Sequence, residues 1–215
     1  MTFKAICTAA LVLATGITAQ GLAHAQTSAQ PSPISALRLS AELFAMGQTQ
    51  QDPLLVLTAA KLRKSVSLSP TDRAPTGGQV ETGTTLEWQT MLETAAALAA
   101  ADDALLGLIE DVRFETSKGV SDGPVYSVAI IGAGGTDEYE SLPFTGGDYA
   151  EIYVEGKGNT DLNLYVYDAQ GRLVCSDTDI SDIAYCGWRP ATTSGFRIEV
   201  RNKGDANNQY ALITN

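Results

Sequence analysis

The chain has 215 residues, a formal net charge of −11 and 44% hydrophobic residues. So acidic a chain offers no broad basic patch, which argues against nucleic acid and anionic membrane surfaces as partners. Its one histidine, His24, lies in a segment read here as a removable leader. Without that segment a histidine triad, a histidine general base and a His-rich metal site are all excluded.

The leader is "MTFKAICTAALVLATGITAQGLAHA", residues 1–25. Lys4 precedes an apolar run, and Ala23-His24-Ala25 has the small-residue pattern of a signal-peptidase site before Gln26. The run is too short, and too interrupted by Thr and Gly, to span a bilayer. No transmembrane segment is expected once the leader is removed. Cys7 sits inside the run and leaves with it.

Helical periodicity follows over residues 26–118. "SALRLSAELFAMG" sets Leu37, Ala41, Phe44 and Ala45 on one face and is expected to stop at Gly47. "QDPLLVLTAAKLRKS" has Asp52 as N-cap, Pro53 in the first turn, and Lys61, Arg63 and Lys64 near a C-terminus that favours cations. Residues 65–83, rich in Ser, Thr, Pro and Gly, read as a flexible connection. Helix resumes in "TTLEWQTMLETAAALAAADDALLGLIEDV", where Thr84 and Glu87 have capping-box spacing. Asp52-Pro-Leu-Leu-Val-Leu57 echoes Asp103-Ala-Leu-Leu-Gly-Leu108, so two helical hairpins are expected, each with its second helix capped by that aspartate.

From Pro124 the period becomes two. "PVYSVAII", "YAEIYVEG", "DLNLYVYD", "GFRIEVRN" and "QYALITN" alternate apolar and polar residues, the signature of antiparallel strands with one buried face. Ile152, Leu164 and Ile198 are expected inward; Glu151, Tyr153, Glu155, Tyr165 and Tyr167 outward. Asp168-Ala-Gln-Gly171 suits a hairpin turn. The expected fold class is α+β: helical hairpins, then an antiparallel, jelly-roll-like β-sandwich over residues 121–215. Cys175 and Cys186 are an even pair in an exported chain and lack C-x-x-C spacing, so a structural disulfide is expected.

Over 121–215 the chain resembles the bacterial pre-peptidase C-terminal domain. The resemblance rests on Gly146-Gly147 before the strand at Tyr149–Glu155, "DLNLYVYD", the turn at Gly171, Ser176-Asp177, the strand start Gly195-Phe196 and the closing Tyr210–Leu212. Asn163 stands where that family favours a second aspartate, and the two cysteines are additions. The resemblance implies a β-sandwich attached to exported proteins, and an accessory or adhesive role rather than proteolysis.

Three site chemistries are open. Asp161, Asn163, Asp177, Asp179 and Asp182, with Glu151 and Glu155 on a neighbouring strand, supply the oxygen ligands that calcium prefers; the bland alternative is turn capping by Asp and Ser. Tyr153, Tyr165, Tyr167 and Trp188 form an outward aromatic row, suited to stacking on a ligand or to packing under the helices. Paired carboxylates could do hydrolytic acid–base work, although no spacing marks a pair. Together these favour a periplasmic or secreted, non-enzymatic binding or scaffolding protein of the cell envelope. The alternatives are a calcium-stabilised module for extracellular protein or polysaccharide, and a carboxylate-based hydrolase.

Overall fold

The computed structural model describes residues 31–116, 123–158 and 160–215; the expected leader lies outside the described residues. Ser32 opens the first helix, α1 (Pro33–Gln50), by accepting from the Ser35 N–H, and Pro33 fills the first turn, where no N–H is needed. Gly47, the expected stop, lies inside this helix. A Cβ there would sit 2.7 Å from Val56 Cγ2, so Gly47 marks a close helix crossing. The turn is made instead by Gln51, in the left-handed region at φ 54°. Asp52 caps α2 (Pro53–Lys64), accepting from the N–H groups of Leu54 and Leu55.

The expected capping box does not form. α3 (Trp88–Ala99) begins after Glu87, whose side chain makes no cap bond. α4 (Asp103–Phe114) is capped by Asp102, one residue earlier than the internal echo suggested. An N-cap carboxylate must reach N–H groups two and three residues ahead, and Asp102 does so at Ala104 and Leu105.

The segment read as a flexible connection is laid along the sheet. Ser69–Pro70 forms a two-residue strand, β1, parallel to β2 (Val125–Ile131). Beyond it the N–H groups of Thr71, Thr76 and Glu81 donate to the carbonyls of Tyr126, Glu138 and Val128. The remaining strands are β3 (Thr136–Phe144), β4 (Ala150–Gly156), β5 (Leu162–Tyr167), β6 (Leu173–Asp177), β7 (Ile183–Trp188), β8 (Ser194–Asn202) and β9 (Asn208–Thr214). One sheet has the order β1-β2-β9-β4-β7 and the other β3-β8-β5-β6, both antiparallel apart from the β1–β2 pair. The fold is α+β.

From β2 onward each connection crosses from one sheet to the other, except the β5–β6 hairpin. That hairpin turns at Asp168–Arg172 with Gly171 at φ 74°. Ile152, Val154, Leu164, Val166, Ile198 and Leu212 fill the space between the sheets. Each such side chain contributes about 1.5–3 kcal/mol on burial. The Cys175–Cys186 disulfide, with Cα atoms 5.9 Å apart, joins β6 to β7. These are edge strands of opposite sheets, so the bond closes one side of the sandwich.

Residues Pro31–Asn215 form one compact unit, and β4 is the reason. Its outward residues Glu151, Tyr153 and Glu155 do not face water; all three are buried. Glu151 accepts from the hydroxyls of Ser32 (2.6 Å) and Tyr185 (2.8 Å), close to the positive end of α1. Tyr153 packs with Ile34 and Leu37 of α1. Glu155 takes a bidentate pair from Arg63 of α2 at 2.7 and 2.8 Å, with both side chains 3% exposed. Arg63 also donates to the Leu86 carbonyl, and Glu155 accepts from the Leu86 N–H.

Removing one member of a buried, hydrogen-bonded pair costs about 3–5 kcal/mol. At roughly 2–4 °C per kcal/mol, Arg63→Met is expected to lower the melting temperature by about 6–20 °C. Adding Glu155→Leu should recover part of that loss but not all, because the Leu86 N–H and C=O remain without partners. Calorimetric melts of the single and double variants check this; an unchanged Arg63→Met melt contradicts it.

Candidate functional site

Among the described residues, the helical layer covers the outer face of one sheet, and the outer face of the other stays partly exposed. This separates the four aromatic residues expected to form one row. Tyr153 is sealed under α1. Trp188 points into the sandwich, edge-on to Phe144 and Phe196 with ring centroids 4.9 and 5.1 Å away. Tyr165 and Tyr167 share the open face of β5 and are half-buried.

These two rings do not stand alone. β8 pairs with β5 so that Tyr165 lies opposite Glu199 and Tyr167 opposite Arg197. The Arg197 guanidinium lies 4.2 Å from the centroid of Tyr167, and that of Arg201 lies 4.3 Å from Tyr165. Such cation–π contacts are worth about 0.5–1 kcal/mol at exposed sites. Glu199 sits between the two arginines and pairs with both, and Glu138 of β3 adds a contact to Arg197 at 3.3 Å. The result is a ladder of planar groups across two strands, Tyr167, Arg197, Glu199, Arg201 and Tyr165, flanked by Glu138 of a third. Period-two alternation identified the tyrosines as outward. It could not find Arg197, Glu199 and Arg201 as their partners, because strand register is not written in a single strand.

Electrostatics follow from the ladder. Burial alone would raise the Glu199 carboxyl, but hydrogen bonds and charge from Arg201 and Arg197 outweigh it and hold the group below its ordinary range. The same bonds raise both guanidinium values.

The acidic residues do not converge. Asn163 of β5 donates its amide N–H to the Asp161 carboxylate, just before the strand, at 2.7 Å. Glu151 and Glu155 belong to β4, in the opposite sheet, and are engaged by the helical layer. Asp177 accepts from the N–H groups of Tyr185 (2.8 Å) and Asp179 (3.2 Å), closing the crossover loop onto β7. Asp179 is exposed, and Asp182 is half-buried at the foot of β7, its carbonyl accepting from the Gly156 N–H. Among the described residues no group of three or more His, Cys, Asp or Glu side chains is placed to hold a metal ion. No helix among them is long and apolar enough to cross a membrane.

No protein-family model and no curated protein matches the sequence. Among solved structures, the chain is similar to the pre-peptidase C-terminal domain of a collagenase from Bacillus anthracis, with 12% identity over 42% of this chain and 87% of that one, TM-score 0.36. It is also similar to a periplasmic inhibitor of g-type lysozyme from Aeromonas hydrophila, with 12% identity over 46% of this chain and 90% of that one, TM-score 0.34. A carbohydrate-binding module of a laminarinase from Zobellia galactanivorans gives 9% identity over 42% and 79%, TM-score 0.29. These are likenesses of fold, and no residue role is carried over from them.

Two outcomes are expected. The Glu199 carboxyl is depressed in the folded state, so its contribution to stability is present above the unfolded value of about 4.3 and is lost as pH falls through the folded value. Melting temperature measured on acidification from about pH 5 to pH 3 should therefore fall less in Glu199→Gln than in the parent. Separately, the Asp161 and Asp177 carboxylates already accept protein hydrogen bonds, so calcium at about 1 mM, against chelator, should leave the melting temperature unchanged. A clear rise would place a calcium site in the loop.

Proposed function

We propose that the chain is an exported, non-enzymatic binding module of the cell envelope, and that the open face of the four-stranded sheet holds a neutral polysaccharide. The observation that supports this is the ladder of Tyr167, Arg197, Glu199, Arg201 and Tyr165. Its rings and guanidiniums are held before any ligand arrives, so little side-chain entropy remains to be lost on binding. Phenol hydroxyls and guanidinium N–H groups present donors and acceptors at the spacing of neighbouring strands. Sugar hydroxyls can use both.

Charge selects among polymers. Glu199 and Glu138 offset the two arginines locally, and the chain as a whole carries −11. A uronate-rich or phosphorylated polymer would meet repulsion on approach, whereas a neutral one would not. Export is supported by the disulfide, which persists in oxidising compartments, and by the sequence of the leader.

Affinity electrophoresis in gels containing β-glucan, xylan or a uronate polymer tests the reading. The neutral polymers should retard the protein and the uronate polymer should not. Tyr165→Ala and Tyr167→Ala should each weaken retardation about tenfold, equivalent to about 1.4 kcal/mol, because the stacked ring is lost. Absence of retardation by every neutral polymer, or variants that bind like the parent, would sink the proposal.

A further inference from the structure

The sheet face that carries the ladder ends beside a small cavity. Along β8 the outward positions run Arg201, Glu199, Arg197 and then, by the same period of two, Gly195. Gly195 pairs with the exposed Pro143 of β3, one step of about 7 Å past Arg197. Pro143 is also the near rim of a cavity of about 180 Å³, set between the β3–β4 loop and the end of β9. Buried Phe144 and Ala150 give this cavity an apolar base. At about 30 Å³ per water it has the room of roughly six waters, enough for one pyranose ring and too little for two.

The wall of the cavity is fixed in advance. The Gly146 N–H donates to the Thr193 hydroxyl at 3.0 Å and the Gly147 N–H to the Pro190 carbonyl at 2.8 Å. Arg189 donates to the Gly147 carbonyl. The Asn215 amide donates to the Tyr149 carbonyl at 2.7 Å, and its side-chain oxygen accepts from the Glu151 N–H at 2.9 Å. The Tyr149 hydroxyl bonds that of Tyr185, so its ring is held although 47% of the residue is exposed. Little ordering is left to be done when a ligand enters.

Against this fixed frame, two polar lining side chains are unused. Among the described residues neither the Thr145 hydroxyl nor the Asp148 carboxylate has a hydrogen-bond or ion-pair partner, and both are exposed. A carboxylate and a hydroxyl beside an exposed ring and an apolar base suit a ligand with hydroxyl donors on its edge and C–H groups on its face. Charge narrows the class further. The Arg189 guanidinium rests on the residue next to Asp148 and offsets it, which favours neutral hydroxyls over an ammonium group.

We infer that this cavity holds the terminal sugar of a neutral polysaccharide whose following units lie on the sheet face, so that the protein reads chain ends. Asp148 and Thr145 take the hydroxyls of that sugar, Tyr149 faces its ring, and the chain leaves over Pro143 and Gly195 toward Arg197 and Tyr167. The inference rests on the sheet-face reading and adds to it where the polymer stops.

Calorimetric titration of the full protein with β-glucan and xylan hexasaccharides gives the test. One hexasaccharide per chain is expected. Asp148→Ala and Thr145→Val should each weaken its binding at least fivefold and leave the melting temperature unchanged, because both side chains are exposed and unpaired. Cutting the polymer into shorter pieces at fixed mass should raise the amount of protein it binds in proportion to the number of ends. If both cavity variants bind the hexasaccharide like the parent while Tyr165→Ala does not, the cavity inference is overturned and the sheet-face reading stands. Weakening by the cavity variants but not by Tyr165→Ala keeps the cavity as a sugar site and overturns the sheet face. Capacity that ignores the number of ends overturns end recognition, and a parent protein that binds neither hexasaccharide overturns the inference outright.

Discussion

The guanidinium of Arg63 and the carboxylate of Glu155 meet where water does not reach, and the helical layer is seated on the sandwich through them. Burying two charges is expensive, and it is tolerable here because each side-chain nitrogen of Arg63 and both carboxylate oxygens of Glu155 find partners. The Leu86 N–H and C=O complete the set, so one ion pair also fixes the entry to α3. Along the same strand Glu151 receives the start of α1 and Tyr153 fills the gap between. Three successive outward residues of β4 therefore specify where two helices sit.

That seating decides which face of the sandwich remains open. With one sheet covered, the face of β5 and β8 is left to solvent, and its polar side chains pair among themselves into the tyrosine–arginine ladder. The alternation of strands between sheets matters in the same way. Because β6 and β7 are consecutive in sequence yet edge strands of opposite sheets, the acidic loop between them is a crossover, and the disulfide ties its two ends. Asp177 spends its carboxylate on closing that loop. A loop rich in aspartate at such a place needs no metal to account for it.

Much of the architecture was legible in the residues. Leu162, Leu164 and Val166 alternate inward as their period requires, Asp52 caps its helix, and Cys175 finds Cys186. Local chemistry suffices for each of these. Apart from the cap of α4, which is local and one residue off, the misread positions involve a second element. Gly47 is a stop signal when α1 is considered alone, but it is a crossing point once Val56 is present. Thr84 and Glu87 have the right spacing for a box, yet Glu155 claims the Leu86 N–H and the helix begins later. Residues 65–83 lack any apolar period because they are held by backbone bonds to the edge of the sheet, which leave no mark in side-chain pattern.

By itself, then, the sequence determined the α+β class, the strand period, the hairpin at Gly171 and the pairing of the cysteines, because each depends on residues close in the chain or on a choice with one answer. Which outward residues see water depends instead on contacts between layers. Tyr153 and Tyr165 occupy equivalent outward positions on neighbouring strand patterns; one is sealed beneath a helix and the other lies open beside an arginine. A period of two records that a residue points away from one core. It carries no information about whether a second layer waits on the other side, since that depends on contacts between residues far apart in sequence, such as Arg63 and Glu155.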